Sequence, residues 1–114
     1  LHAVLRFGLS PHWGREMGNS LKSAEFLIES RLRDAARGDC TACYDLGVAY
    51  STGTSGVCFD LIEAHKWFNL AAIAGDEAAQ IARAEIAGDM TPRDIAVAQR
   101  AARDWLGGHR AQAA

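Results

Sequence analysis

Apolar residues return at three- and four-residue steps through Leu21, Ala24, Ile28, Leu32 and Ala35, the spacing of one helix face. Lys22, Glu25, Glu29 and Arg33 fall on the opposite face, and Gly38 ends the segment. A second helix is predicted from about Asp39 to Thr52, with Ala42, Leu46, Ala49 and Tyr50 on its inner stripe. The loop Gly53 to Phe59 leads to Asp60, which together with Glu63 suits a helix start: side-chain oxygens there accept from exposed first-turn amides and face the positive dipole end. The third helix carries Ala64, Trp67, Phe68, Ala71 and Ala72, and Gly75 closes it. A fourth helix is predicted over Asp76 to Gly88. A fifth starts at Thr91-Pro92-Arg93-Asp94, with proline at the first helical position, where its missing donor costs nothing. Its stripe is Ile95, Ala98, Ala102, Trp105 and Leu106, and Gly107-Gly108 is expected to stop it, leaving an Ala-rich tail.

Before Ser20 the pattern is absent. Leu1 to Glu16 contains Gly8, Pro11 and Gly14 without a sustained period. Residues 1–19 therefore read as an arm, 20–107 as the helical domain and 108–114 as a tail. The chain opens on Leu, and Met17 is a candidate start; Leu5, Phe7, Leu9 and Trp13 could form an apolar strip that docks on a neighbour or in the domain's own groove.

The spacing in the middle of the chain is more specific than helicity alone. Ala42, Leu46-Gly47, Tyr50, Gly53, Gly56-Val57, Asp60, Ala64, Trp67-Phe68, Ala71-Ala72 and Gly75 form the pattern A-x-x-x-L-G-x-x-Y-x-x-G-x-x-G-V-x-x-D-x-x-x-A-x-x-W-F-x-x-A-A-x-x-G. Small residues at Ala42, Gly47, Ala49, Ala64, Ala71 and Ala72 let two antiparallel helices approach, while Leu46, Tyr50, Trp67 and Phe68 fill the space between them. This pattern resembles the SEL-one-like repeat, a branch of the tetratricopeptide-like α/α solenoids. A degenerate second copy runs from Asp76 to about Leu106, offset by 37 residues, with Ala79, Ala84 and Ile86 matching Ala42, Gly47 and Ala49. Arg83 falls where Leu46 sits, and the glycine loop shrinks to Asp89-Met-Thr. The expected fold is all-α: an α/α superhelical repeat of about two helix-turn-helix units, with an N-terminal helix capping the open end of the array.

The resemblance implies a noncatalytic adaptor that binds a protein or peptide on its concave wall, for instance as a small subunit of a bacterial assembly. First helices line that wall in this architecture, which nominates Tyr44, Asp45 and Val48 on the first copy and Ile81 and Glu85 on the second. The alternative is an enzyme, thiol-dependent through the Cys40/Cys43 region or acting on β-lactams by analogy with a cysteine-rich subset of the family. In that subset a Cys at the position of Cys43 is bonded to one at the end of the preceding second helix. Ala71-Ala72 and Ala35-Ala36 stand at the corresponding helix ends, so those staples are absent.

Composition narrows the partners. With 114 residues, a net charge of -2 and 12 Lys and Arg against 14 acids, the chain has no basic field for nucleic acid. No apolar run is long enough for direct membrane insertion. Cys40-Thr-Ala-Cys43 has the spacing of thiol redox motifs and of half a zinc site. Only Cys58 and His65 could complete such a site inside the unit, and no strand surrounds the motif, so the two read as small core-side residues with no metal or cofactor. Three unpaired cysteines point to a reducing compartment, the bacterial-type cytoplasm. His65 is expected to project to solvent, Asp45 and Glu85 to be solvated surface groups, and no catalytic triad is visible.

Overall fold

The computed structural model describes residues 13–113, with side chains described for residue 23 and for 25–108. The apolar strip of Leu5, Phe7, Leu9 and Trp13 and the start of the inner stripe at Leu21 and Ala24 lie outside the described side chains. Five helices account for the secondary structure of the described residues, without a strand: α1 Trp13–Ala36, α2 Cys40–Thr52, α3 Leu61–Ile73, α4 Glu77–Ala87 and α5 Pro92–Ala113. Two bounds differ from expectation. The first helix begins at Trp13 rather than near Ser20, and the last continues through Gly107-Gly108 to Ala113. A glycine costs a helix interior about 1 kcal/mol but does not block it as proline does. After the pair no proline follows, and alanines again favour the helix.

Short polar residues fix the starts. Asp39 accepts from the amides of Thr41 and Ala42, Asp60 from Ile62 and Glu63, Asp76 from Ala79, and Thr91 Oγ1 from Asp94. Each satisfies donors that the helix itself cannot pair. Gly53 caps α2 at φ 69°, a left-handed conformation that strains any residue with a Cβ. The loop then returns so that the Asp60 amide donates to the Tyr50 carbonyl at 2.9 Å, closing the α2–α3 hairpin at its turn.

Helix α3 is the centre of the molecule: α2, α4 and α5 all pack on it, and α1 packs on α2. Its buried residues are Ala64, His65, Trp67, Phe68, Leu70, Ala71 and Ala72, nearly every face of the helix. Toward α2 it meets Leu46, fully buried, and Gly47, where a Cβ would stand 2.5 Å from Phe68 Cδ1. That hairpin matches the predicted close approach. Toward α5, Trp67 and Trp105 meet edge to face with centroids 4.8 Å apart, and the Lys66 ammonium lies 4.4 Å and 5.4 Å from the two ring centres. Glu63 receives both the Trp67 indole N–H at 3.2 Å and Lys66 Nζ at 3.5 Å. Toward α4, Arg83 donates to the Asn69 side-chain oxygen.

The second hairpin does not repeat the first. Ala79 is buried like Ala42, but Ala84, aligned with Gly47, is exposed, and Gln80 is exposed where Cys43 is buried. Helices α4 and α5 make no run of close backbone approaches to each other comparable with that of α2 and α3. Arg83 stands in the place of Leu46 and its charged head reaches across to Asn69 of α3, while Trp105, at the position that matches Phe68, packs on Trp67 of α3.

Candidate functional site

The side chains proposed from the sequence for a shared wall separate into three places. Asp45 and Val48 line a cleft of about 240 Å³ between α1 and α2, with Leu27, Ile28, Arg31 and Ala49, and with Thr54 and Ser55 of the following loop at its edge. Tyr44 turns to the other side of α2: its ring stacks at a tilt on Phe68, centroids 5.5 Å apart, as part of the α2–α3 packing. Ile81 and Glu85 are exposed on α4, which packs on α3. They are outside the cleft.

Asp45 corrects the expectation of a solvated carboxylate, because it is half-buried and bonded to Arg31 Nε at 3.1 Å, tying α1 to α2 across the cleft. The pair is about one-third exposed at each side chain, so its contribution to stability is modest. Its geometric effect is larger, since it places one positive and one negative group beside the apolar wall of Leu27, Ile28 and Val48. Leu27 and Arg31 were not identified from the sequence. The signal was Phe26-Leu27, two large apolar residues off the inner stripe of a helix read only as a cap; they are 66% and 41% exposed. An apolar residue off the stripe faces either solvent or a second groove, and Leu27 does the latter.

A second groove, of about 170 Å³ and mostly apolar, opens where the end of α1, the start of α2, the end of α3 and α5 meet. Cys40 and Cys43 line it with Leu70, Ile73, Trp105 and Leu106. Cys43 is buried and Cys40 half-buried, as expected of core-side residues, while Cys58 is exposed in the α2–α3 loop. Burial first, and then the neighbouring Cys40 and Asp39, push the Cys43 thiol up to about 11. At neutral pH it is protonated, the wrong state for a nucleophile.

His65 is the clearest departure. Expected at the surface, it is only 3% exposed on α3, with Nδ1 lacking a hydrogen-bond partner. Burial, and secondarily the Arg83 guanidinium, lower its pKa and keep the ring neutral. The stripe misled because α3 is covered on several faces rather than one, so a position beside the stripe is also interior.

Among the described residues no three His, Cys, Asp or Glu side chains gather in a way that could hold a metal ion, and no helix is long and apolar enough to cross a membrane. No family model, curated protein or solved structure matches the chain.

Proposed function

We propose that the chain is a noncatalytic interaction module of the SEL-one-like repeat type, in which α2–α3 is one α/α unit, α4–α5 a degenerate second copy held on α3, α1 caps them, and a protein or peptide segment is the ligand. The cleft between α1 and α2 carries this reading. It presents Leu27, Ile28 and Val48 beside the Arg31–Asp45 pair, an apolar anchor site with polar groups that can orient an extended or helical segment. The Gly47–Phe68 approach and the caps at Asp39, Asp60 and Asp76 support the repeat assignment of the first unit and the start of the second. The raised Cys43 thiol argues against the thiol-enzyme alternative. An adaptor role in a bacterial cytoplasmic assembly follows from the resemblance and from the free cysteines.

The test is selection of a displayed random-peptide library on the full chain, followed by affinity measurement with Leu27→Asp. Leu27 is 41% exposed, so the charge is tolerated by the fold while the apolar wall is lost. Enriched peptides should bind the parent and lose at least about tenfold in affinity on the variant, the effect of one buried apolar anchor. Absence of any enriched sequence, or equal binding by the variant with unchanged helicity, overturns the assignment of this cleft.

A further inference from the structure

The interaction reading makes no use of the two cysteines in the second groove. Cys40 and Cys43 occupy the first turn of α2, three residues apart, and both line the same apolar space against Leu70, Trp105 and Leu106. Residues at this spacing share a helix face, and helix rise and radius put their Cα atoms about 5 Å apart, inside the range a disulfide requires. Their Cβ atoms, typically about 5 to 6 Å apart, must close by roughly 1 to 2 Å for the bond to form. The first turn is the cheapest place to do so. The Cys40 amide precedes the first intrahelical bond, which is donated by Cys43 to the Asp39 carbonyl at 3.2 Å. Cys58 lies in the loop beyond the C-terminal end of α2, whereas Cys40 and Cys43 share its first turn.

We propose that Cys40 and Cys43 are a reversible dithiol–disulfide pair, oxidised by a low-molecular-weight disulfide of the glutathione type, whose closure reshapes the groove between α1, α3 and α5. Exposure orders the two steps. The half-buried Cys40, as thiolate, attacks one sulfur of the external disulfide; that S–S bond breaks, one small thiolate leaves and takes a proton from water, and Cys40 carries the mixed disulfide. Cys43 then gives its proton to solvent and attacks Cys40 Sγ, expelling the second small thiolate. Two cysteine thiols are oxidised by two electrons, and the external disulfide is reduced to two thiols. Burial and the high pKa of Cys43 make the second step the slower one and make it faster at alkaline pH. The apolar groove suits both end states, since a dithiol and a disulfide are each uncharged. A bridge that must pull its Cβ atoms together on a helix is strained and easily reduced, which makes it a switch and not a staple.

The experiment incubates the full chain in buffers of defined reduced-to-oxidised glutathione ratio, quenches with acid, alkylates free thiols and measures intact mass. Peptide mapping should show Cys40 and Cys43 joined with the loss of two hydrogens and no glutathione on either, whatever the state of the exposed Cys58, and dithiothreitol reverses the bond. Cys43→Ser should stop at a glutathione adduct on Cys40, and raising the pH should speed closure in the parent. Tryptophan fluorescence should change with the same ratio dependence, because Trp105 lines the groove. A stable glutathione adduct on Cys40 or Cys43 of the parent, a disulfide to Cys58, covalent dimers only, or closure seen only in denaturant each overturns the proposal. The parent chain alone decides among these outcomes, so a Cys43→Ser protein that failed to fold would leave the test intact.

Discussion

The α2–α3 and α4–α5 hairpins start from sequences written on one template and end in different packing. In the first, Leu46 is fully buried and Gly47 lets the Phe68 ring lie against the α2 backbone. In the second, Arg83 stands at the Leu46 position, Ala84 at the Gly47 position is exposed, and the burial that remains is carried by Ala79, Ala98 and Ala102. Alanines let helices approach but supply little area, so α4 and α5 are each held mainly by α3. The lesson is that a repeat's small residues act only with a large partner across from them. Glycine at 47 has a function because Phe68 is there; alanine at 84 has no ring to receive.

Removing the largest side chain of the shared helix should have the greatest effect. Trp67 is 1% exposed, meets Trp105 edge to face and donates to Glu63. Trp67→Ala should cost about 3 to 5 kcal/mol, a large fraction of a small domain's stability, and lower the thermal midpoint by roughly 10 °C or more. The loss should release α5 together with the core, because the two indoles and Lys66 form its main clasp on α3. A thermal midpoint within a degree of the parent's would show that α3 is not the hub.

The same substitution at two glycines should have opposite signs. Gly47→Ala places a Cβ 2.5 Å from Phe68 Cδ1 and 2.6 Å from Cε1, and a ring held in the core cannot swing aside as a flexible chain end would. The crowding costs about 1 to 3 kcal/mol, which exceeds the helix-propensity gain of about 1 kcal/mol. Gly107→Ala meets nothing within 4 Å inside α5 and should stabilise by about 0.5 to 1 kcal/mol through propensity alone. Chemical denaturation of the two variants measures both. Stabilisation at 47, or loss at 107, would erase the distinction between a seam glycine and a surface one.

Much of this fold was legible in the residues. Caps at Asp60 and Thr91, the positive-φ glycine at Gly75 that closes α3 and the inner stripes through Ile28, Leu32, Ala98 and Ala102 all depend on local chemistry or on one period, which a single sequence displays. The candidate site was legible only in part. Asp45 and Val48 do line a cleft, but its other wall is Leu27 and Arg31 of α1, and a pairing between helices is set by which faces are left over after the core forms. Tyr44 illustrates the limit from the other side. Its neighbours suggested a groove position, whereas the ring settles on Phe68, which the lack of a Cβ at Gly47 allows to lie against α2.

The smallest effect is confined to acid, and it bears on the α3–α4 contact that distinguishes the second hairpin. His65 is buried with Nδ1 unpartnered, and burial together with the Arg83 guanidinium lowers its pKa below the ordinary value of 6.5. The unfolded chain therefore binds a proton at a higher pH than the folded one does. Stability from neutral His65 is fully present above about pH 6.5 and is progressively lost as pH falls below that value toward the folded pKa. Denaturation midpoints measured between pH 8 and 5 should fall over the acidic part of the range, and His65→Leu should flatten that segment by removing the titrating group. The neutral variant also isolates Arg83: if Arg83→Gln in the parent raises the acid resistance, the guanidinium contributes to the shift as its charge requires. An identical pH slope in the parent and in His65→Leu would place the acid sensitivity on the carboxylates instead, and would leave the α3–α4 contact indifferent to the charge state of its buried imidazole.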